Sequence, residues 1–426
     1  MSSLAADEIR INSLLAAADE AAEAGRHAEA GRILADAAAA HPRDPRVLTA
    51  LGMHALKRGD FAAASAHFEQ AVQLDARSPQ LWLHVAMAKR ALRDPGAESA
   101  AVEKALTLDP YHCLALLHKA TLLERRGLPH QAAKAYRAFL QCVPPQAQQS
   151  PVLRQGLERA REVVAGNAAA LESFLQMRLA PARAAHAQAP QARFNHCVEV
   201  LLEKRRVFTP QPTFMHFPGL PALEFYERAE FPWLTAFEQS TDAIRDELLQ
   251  CLAADAGGVV PYVDYPGGVP LNQWHELNRS RRWGAYYLLQ GGTPVQAHLE
   301  RCPKTAALLA AAPLADVPGE APTAFFSILE PRTRIPSHTG VTNTRLVVHV
   351  PLVIPRGCGF RVGSETREWR AGQAWVFDDT IEHEAWNNSE EPRAILILDT
   401  WNPFLTTAER TLVRAATAAV REYYRE

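Results

Sequence analysis

Two histidines and an arginine in the C-terminal half have the types and spacing for metal chemistry. His338 lies in Ser337-His338-Thr339-Gly340 and His383 in Asp378-Asp379-Thr380-Ile381-Glu382-His383, 45 residues apart, each predicted just after a β-strand. In a rolled double-stranded β-helix, that separation brings both imidazoles to the mouth of the barrel, where their nitrogens can hold iron. A lone strand-end histidine is more often a packed or solvated side chain, so the pair must be weighed with its surroundings. Arg393 follows His383 by ten residues and opens the last long strand. Its planar guanidinium can grip a carboxylate bidentately, such as the distal carboxylate of 2-oxoglutarate, which a lysine would not reproduce. The competing role for Arg393 is a surface ion pair with Glu390 or Glu391.

The elements that must position these groups begin at about residue 207, where prolines, glycines and tryptophans rise and short β-branched runs replace alanine-rich helices. The clearest predicted strands are residues 325–329, 346–352, 373–377 and 394–398, each bounded by turn residues, which suggests a sandwich or barrel. Helical segments at 242–249 and 305–309 are placed to buttress one face.

The front half has a different period. A 34-residue ruler aligns Pro42, Ala76, Pro110 and Pro144, and likewise Ala30, Ala64, Glu98 and Ala132. Leu34, Phe68, Val102 and Tyr136 form a bulky apolar column, and Gly25, Gly59, Arg93 and Gly127 mark a turn between helices. The spacing predicts stacked helix-turn-helix units: alanine permits close helix approach, the bulky column fills the gaps and proline ends the second helix. With Leu51-Gly52 and Trp82 at the expected places, the units match the tetratricopeptide repeat, four of them within residues 11–146. Such an array curves and presents a concave groove suited to an extended peptide or a partner domain. Residues 147–206 read as capping helices and a linker, the latter from Ala180 to Ala192.

Composition narrows the function classes. A chain of 426 residues exceeds one ordinary core, and a net charge of −2 with 22% charged residues gives no single-sign field for nucleic acid. No run of about 18 apolar residues predicts a membrane span, and Met1 to Glu8 lacks a basic region followed by an apolar core. These features read as a cytoplasmic protein. Six widely spaced cysteines without a C-x-x-C pair read as reduced, mostly buried thiols.

The C-terminal half resembles the aspartyl/asparaginyl β-hydroxylases. The resemblance runs over Ser327, His338-Thr339-Gly340, Thr342-Asn343-Thr344-Arg345-Leu346, His349, Pro355, Phe377-Asp378-Asp379, Glu382-His383-Glu384, Trp386, Arg393 and Asp399-Thr400-Trp401-Asn402-Pro403. Upstream, Phe217-Pro218-Gly219-Leu220-Pro221, Phe231-Pro232-Trp233 and Cys302-Pro303-Lys304-Thr305 also resemble it, so coverage is about residues 215–405. Animal members likewise carry tetratricopeptide repeats ahead of the oxygenase domain.

The resemblance implies iron(II), 2-oxoglutarate and O₂ as cofactors, with ascorbate as a reductant, and succinate and CO₂ as products. It implies His338 and His383 as iron ligands, Arg393 with Ser327 as the clamp for the distal carboxylate, and His349 as a partner for the carboxylate beside the metal. The usual third ligand, a carboxylate two residues after the first histidine, is replaced by Gly340; water fills that position, and Asp379 can hydrogen-bond it. Arg345 matches the family's substrate-side arginine, with a structural salt bridge as its competing role. Val347 stands where animal enzymes carry a second arginine near the cosubstrate, and Gln290-Gly291-Gly292-Thr293 lacks their substrate-binding arginines.

The expected molecule is therefore a multidomain α + β protein: an all-α tetratricopeptide-repeat solenoid, then a double-stranded β-helix (jelly-roll, cupin-like) oxygenase domain over residues 207–426 with flanking helices. The expected function is a dioxygenase hydroxylating the β-carbon of an Asp/Asn-type residue in a protein or peptide bound in the repeat groove. The alternatives are a hydroxylase of a lipid or small molecule and an inert repeat-based scaffold.

Overall fold

The computed structural model describes residues 2–144 and 151–424, and the chain divides into two compact units, residues 1–190 and 191–426. The first unit is built from four helical hairpins: α1 (Ser2–Glu23) with α2 (His27–Ala40), α3 (Pro45–Lys57) with α4 (Phe61–Leu74), α5 (Pro79–Ala91) with α6 (Pro95–Leu108), and α7 (Cys113–Arg125) with α8 (Pro129–Cys142). The turn column falls at the hairpin bends in the left-handed region, with φ of 75° at Gly25, 78° at Gly59, 60° at Arg93 and 69° at Gly127. Asp44, Ser78 and His112 each accept a backbone N–H at the start of α3, α5 and α7, satisfying a donor the helix cannot. Leu34, Phe68, Val102 and Tyr136 are all buried. Gly52 is required by close packing, since a β-carbon there would lie 2.4 Å from the Phe68 ring.

Glu98, the exception in the alanine column, is also buried. It accepts from His118 at 2.7 Å and Arg125 at 2.5 Å, so its charge is paired rather than stranded. A long helix α9 (Pro151–Ala185) packs Leu153, Leu157 and Ala160 against Tyr136 and Phe139, closing the apolar end of the stack. The stretch read as linker from Ala180 is helical to Ala185, because alanine and arginine around Pro181 sustain the turn already begun.

The second unit opens with α10 (Ala192–Leu201), α11 (Leu234–Gln239) and α12 (Thr241–Ala254), and later adds α13 (Gln296–Arg301), α14 (Pro303–Ala311) and α15 (Thr407–Tyr423). Its strands are β1 (Val260–Pro261), β2 (Trp283–Gln290), β3 (Thr293–Pro294), β4 (Ala324–Leu329), β5 (Thr333–His338), β6 (Arg345–Val353), β7 (Cys358–Val362), β8 (Glu365–Arg367), β9 (Trp375–Phe377), β10 (His383–Asn387) and β11 (Arg393–Trp401). They form an antiparallel seven-stranded sheet, β1-β2-β4-β11-β6-β9 with β3 on β2, and a four-stranded sheet, β5-β10-β7-β8.

Side-chain alternation along the large sheet builds three layers. Phe326 and Ile328 of β4, Leu346, Val348 and Val350 of β6, and Leu396 and Leu398 of β11 face outward onto Ile244, Leu248 and Leu309 of α12 and α14. Each fully buried side chain of this kind contributes roughly 1.5–3 kcal/mol. The alternate residues face the small sheet, where Trp283, Leu329, Phe377 and Ile395 meet Ile335, Phe360, Val362 and Ala385. All six cysteines are free thiols and three are buried. No helix among the described residues is long and apolar enough to cross a membrane.

Candidate active site

The inward positions of β4, β6 and β11 are Ser327, then Arg345, Val347 and His349, then Arg393, Ile395, Ile397 and Asp399, and all of them line one cavity of about 610 Å³ between the sheets. His338, Asp379 and His383 line the same cavity from the other side. The fold thus gathers every residue singled out for metal, cosubstrate and substrate.

His338 ends β5 and His383 begins β10, so both lie within strands rather than after them, and they are direct cross-strand partners. Their ring centroids are 4.0 Å apart. A bulge makes this possible. Ile335 and His338 are three residues apart, a spacing that puts side chains on opposite faces of a regular strand. Here Pro336 and Ser337 together stand opposite the single Glu384, and the extra residue turns His338 inward beside Ile335.

Both imidazoles have the protonation a metal ligand needs. His338 Nδ1 lies 2.8 Å from the Pro336 carbonyl and His383 Nδ1 lies 3.0 Å from the Ile381 carbonyl. Each Nδ1–H donates to its carbonyl, leaving Nε2 as a bare lone pair. Burial pushes the His338 pKa below the ordinary range and the His383 pKa well below it, the neighbouring His338 adding to the latter. Among the described residues no cluster of three or more His, Cys, Asp or Glu has metal-binding geometry. What the site offers a metal is two adjacent neutral imidazoles, each with a free Nε2 lone pair.

A carboxylate from elsewhere in the chain lies against the position two residues after His338. A β-carbon on Gly340 would lie 2.0 Å from Asp379 Oδ2, so glycine is what admits that carboxylate. Asp379 Oδ1 is buried with no hydrogen-bond partner. Burial raises its pKa to about 7, with Arg345 opposing the rise; a bound cation would pull it down again.

At the opposite end, Arg393 is 1% exposed. Its Nη1 donates to Ser327 O and Oγ, both at 3.3 Å, its guanidinium carbon lies 4.9 Å over the Trp369 ring, and its Nε has no partner. Of the two alternative partners, Glu390 pairs with Arg332 instead, and no ion pair among the described residues joins Arg393 to Glu391. Burial lowers the Arg393 pKa to about 10, which leaves it charged at neutral pH. Among the described residues no carboxylate neutralises it. Trp369 Nε1 donates to His349 Nδ1 at 3.3 Å, which fixes the neutral tautomer with Nε2–H available as a donor. Burial first, and the Arg393 charge second, hold His349 well below its usual pKa.

Sequence reasoning missed the aromatic frame. Trp283 Nε1 donates to Ser327 Oγ at 3.1 Å and its ring stacks on Tyr262 at 4.0 Å, while Trp274 meets His338 edge-on at 4.9 Å. Trp283 could have been found from the β-rich run that it opens, but Trp274 and Trp369 lie outside any strand and carry no local signal. Arg345 lines the cavity, yet its Nη1 is bound to Asp399 Oδ2 at 2.6 Å. That is the structural pairing the sequence held open beside a substrate role.

Residues 238–403 match the family model described as Aspartyl/Asparaginyl beta-hydroxylase, and residues 21–88 match Tetratricopeptide repeat. An ornithine lipid ester-linked acyl 2-hydroxylase of Rhizobium tropici is 32% identical over 43% of this chain and 62% of its own length. The mouse aspartyl/asparaginyl beta-hydroxylase is 36% identical over 42% of this chain and 24% of its own. The chain thus spans less than two thirds of either curated relative. Among solved structures, a thermophilic TPR protein of Thermus thermophilus aligns at 20% identity over 40% of this chain and 98% of that chain, with a TM-score of 0.32.

Proposed function

We propose, from an aspartyl/asparaginyl β-hydroxylase domain standing behind tetratricopeptide repeats, that this chain is an iron(II)- and 2-oxoglutarate-dependent dioxygenase that hydroxylates a protein or peptide. The observation that carries the reading is the buried Arg393 guanidinium, charged and without an anion, in the same cavity as two neutral, paired imidazoles. A buried cation is stable only when something supplies its countercharge. A dicarboxylate that reaches from Arg393 toward the histidines does so.

His338 and His383 would hold the iron, which when bound supplies the redox chemistry coupling decarboxylation of 2-oxoglutarate by O₂ to oxidation of a C–H bond. Arg393 and Ser327 bind the distal carboxylate, and the Trp369 ring lies against the guanidinium as a cation–π partner. His349 Nε2–H donates to the carboxylate nearer the histidines. Asp379 accepts from water beside Gly340. Tyr262, Trp274, Trp283 and Phe325 line the cavity with rings and exclude bulk water from the reacting centre. In the first unit, Leu83, Met87, Leu114, Leu117 and Thr121 line a groove of about 860 Å³ suited to an extended peptide.

A second reading, hydroxylation of a lipid acyl chain, is favoured by one observation. Arg345, the substrate-side cation, is already neutralised by Asp399, and much of the wall around it is apolar or aromatic. With its charge already paired, Arg345 offers an aspartyl carboxylate less than a free cation would, and the Rhizobium tropici relative is named for an acyl 2-hydroxylase.

The test is succinate formation by the full chain with iron(II), ascorbate and 2-oxoglutarate, against a peptide library and against extracted bacterial lipids. Turnover is expected to require iron, and Arg393→Lys is expected to raise KM for 2-oxoglutarate about ten- to a hundredfold, the effect of losing roughly 1.5–3 kcal/mol of charge-assisted bonding. A product heavier by one oxygen assigns the substrate class. Iron-independent turnover, or turnover that survives both His338→Ala and His383→Ala, rules the reading out.

A further inference from the structure

The bulge that turns His338 into the cavity interrupts the ladder of the small sheet. Pro336 cannot donate a ladder hydrogen bond, and the extra residue interrupts pairing at the position where the two histidines must stay opposite one another. Arg361 reaches across this gap to the bulge itself. Arg361 lies on β7, directly across from Glu384 of β10, while its neighbours Phe360 and Val362 face the core. Its guanidinium therefore lies on the outer face, behind the histidines.

Each arm of that guanidinium is committed. Nε donates to Glu384 Oε1 at 2.7 Å, and Nη1 donates to the Gly363 carbonyl at 2.6 Å. Nη2 donates both to Glu382 Oε1 at 2.8 Å and, across the whole width of β10, to Ser337 Oγ at 3.1 Å. Ser337 immediately precedes His338, while Glu382 and Glu384 flank His383. The four bonds join three adjacent strands at the residues next to the two imidazoles, and only a planar fork of five donors can make them together.

We propose that Arg361 is a positioning residue that clamps the β5 bulge onto β10 from the outer face and so fixes the spacing of His338 and His383. This rests on reading those histidines as the metal pair. Arg361 does not line the cavity; its charge is felt at His383, and a lysine keeps that charge, so what the fork adds passes through backbone placement. Groups that orient metal ligands from behind typically matter for affinity by about ten- to a hundredfold.

The test titrates the full-length, metal-free protein with Co(II) and follows the ligand-field absorption, which reports affinity and ligand geometry without turnover. Arg361→Lys keeps the charge near the cation site and removes the fork; it is expected to weaken Co(II) binding about tenfold or more and to alter the absorption band, with far-UV circular dichroism unchanged. The charge-matched control is Arg334→Lys, since Arg334 also pairs with Glu384 but does not reach Ser337; binding is expected to stay within about twofold of the parent. Should Arg361→Lys fail to fold, Ser337→Ala deletes only the hydroxyl at the bulge and is expected to weaken binding about threefold. Parent-like affinity and spectrum in the folded Arg361→Lys or Ser337→Ala protein overturns the proposal, as does equal loss in Arg334→Lys. Co(II) binding by the parent that ignores His338→Ala and His383→Ala refutes the metal-pair reading instead.

Discussion

A missing β-carbon shapes the cavity as much as any charged group does. Gly340 leaves the space that the carboxylate of Asp379, 39 positions later in the chain, occupies. Gly340→Ala is expected to displace the Asp379 carboxylate and lower the rate of succinate formation by at least about tenfold, with KM for 2-oxoglutarate little changed because Arg393 is untouched. Steady-state kinetics on the folded variant checks the split; a parent-like kcat would mean that Asp379 has no part in the site. The histidines and Arg393 were legible as residues because their types are scarce among β-branched neighbours. Their rotameric and tautomeric state was not, since it depends on the carbonyls of Pro336 and Ile381 and on the Trp369 indole.

At the level of elements, legibility followed pattern strength. The four strands read from sequence correspond to β4, β6, β9 and β11, all in the large sheet, which is the richer in consecutive apolar, β-branched and aromatic residues. The small sheet, which holds both histidines, went unread. Thr333 to His338 contains a proline, Cys358 to Val362 a glycine and an arginine, and His383 to Asn387 a glutamate, so neither apolar alternation nor propensity singles them out. Among the repeats, the period predicted hairpins, and the one break in the glycine column now has a cost. Arg93 holds φ of 60°, the conformation its sister positions give to glycine. Arg93→Gly is expected to stabilise the protein by about 1 kcal/mol, read as a rise in Tm.

Acid should loosen these same helices. Burial holds the His84 and His118 imidazoles below their ordinary pKa. As pH falls through about 6.5 the unfolded chain takes up protons that the folded repeats refuse. Their contribution to stability is therefore fully present above that range and lost below it. Urea midpoints between pH 5.5 and 7.5 should drop on the acid side, less steeply in His84→Gln.

At the scale of the whole molecule, each unit has its own core, one of alanine and bulky apolar columns and one of two facing sheets backed by helices on the large sheet. The charge that the second core tolerates at Arg393 gives its stability an outside dependence. A folded state that lacks a counter-anion is held below its best stability until a ligand provides one, and a hundredfold excess over Kd adds about 2.7 kcal/mol. Proteolytic susceptibility should follow. With 2-oxoglutarate and a redox-inert divalent ion present, cleavage by a nonspecific protease is expected to slow, and Arg393→Ala should be indifferent to the addition. On the proposed reading, the ligand that serves as cosubstrate would also be a folding partner, so its supply would set how long the protein survives as well as how fast it works.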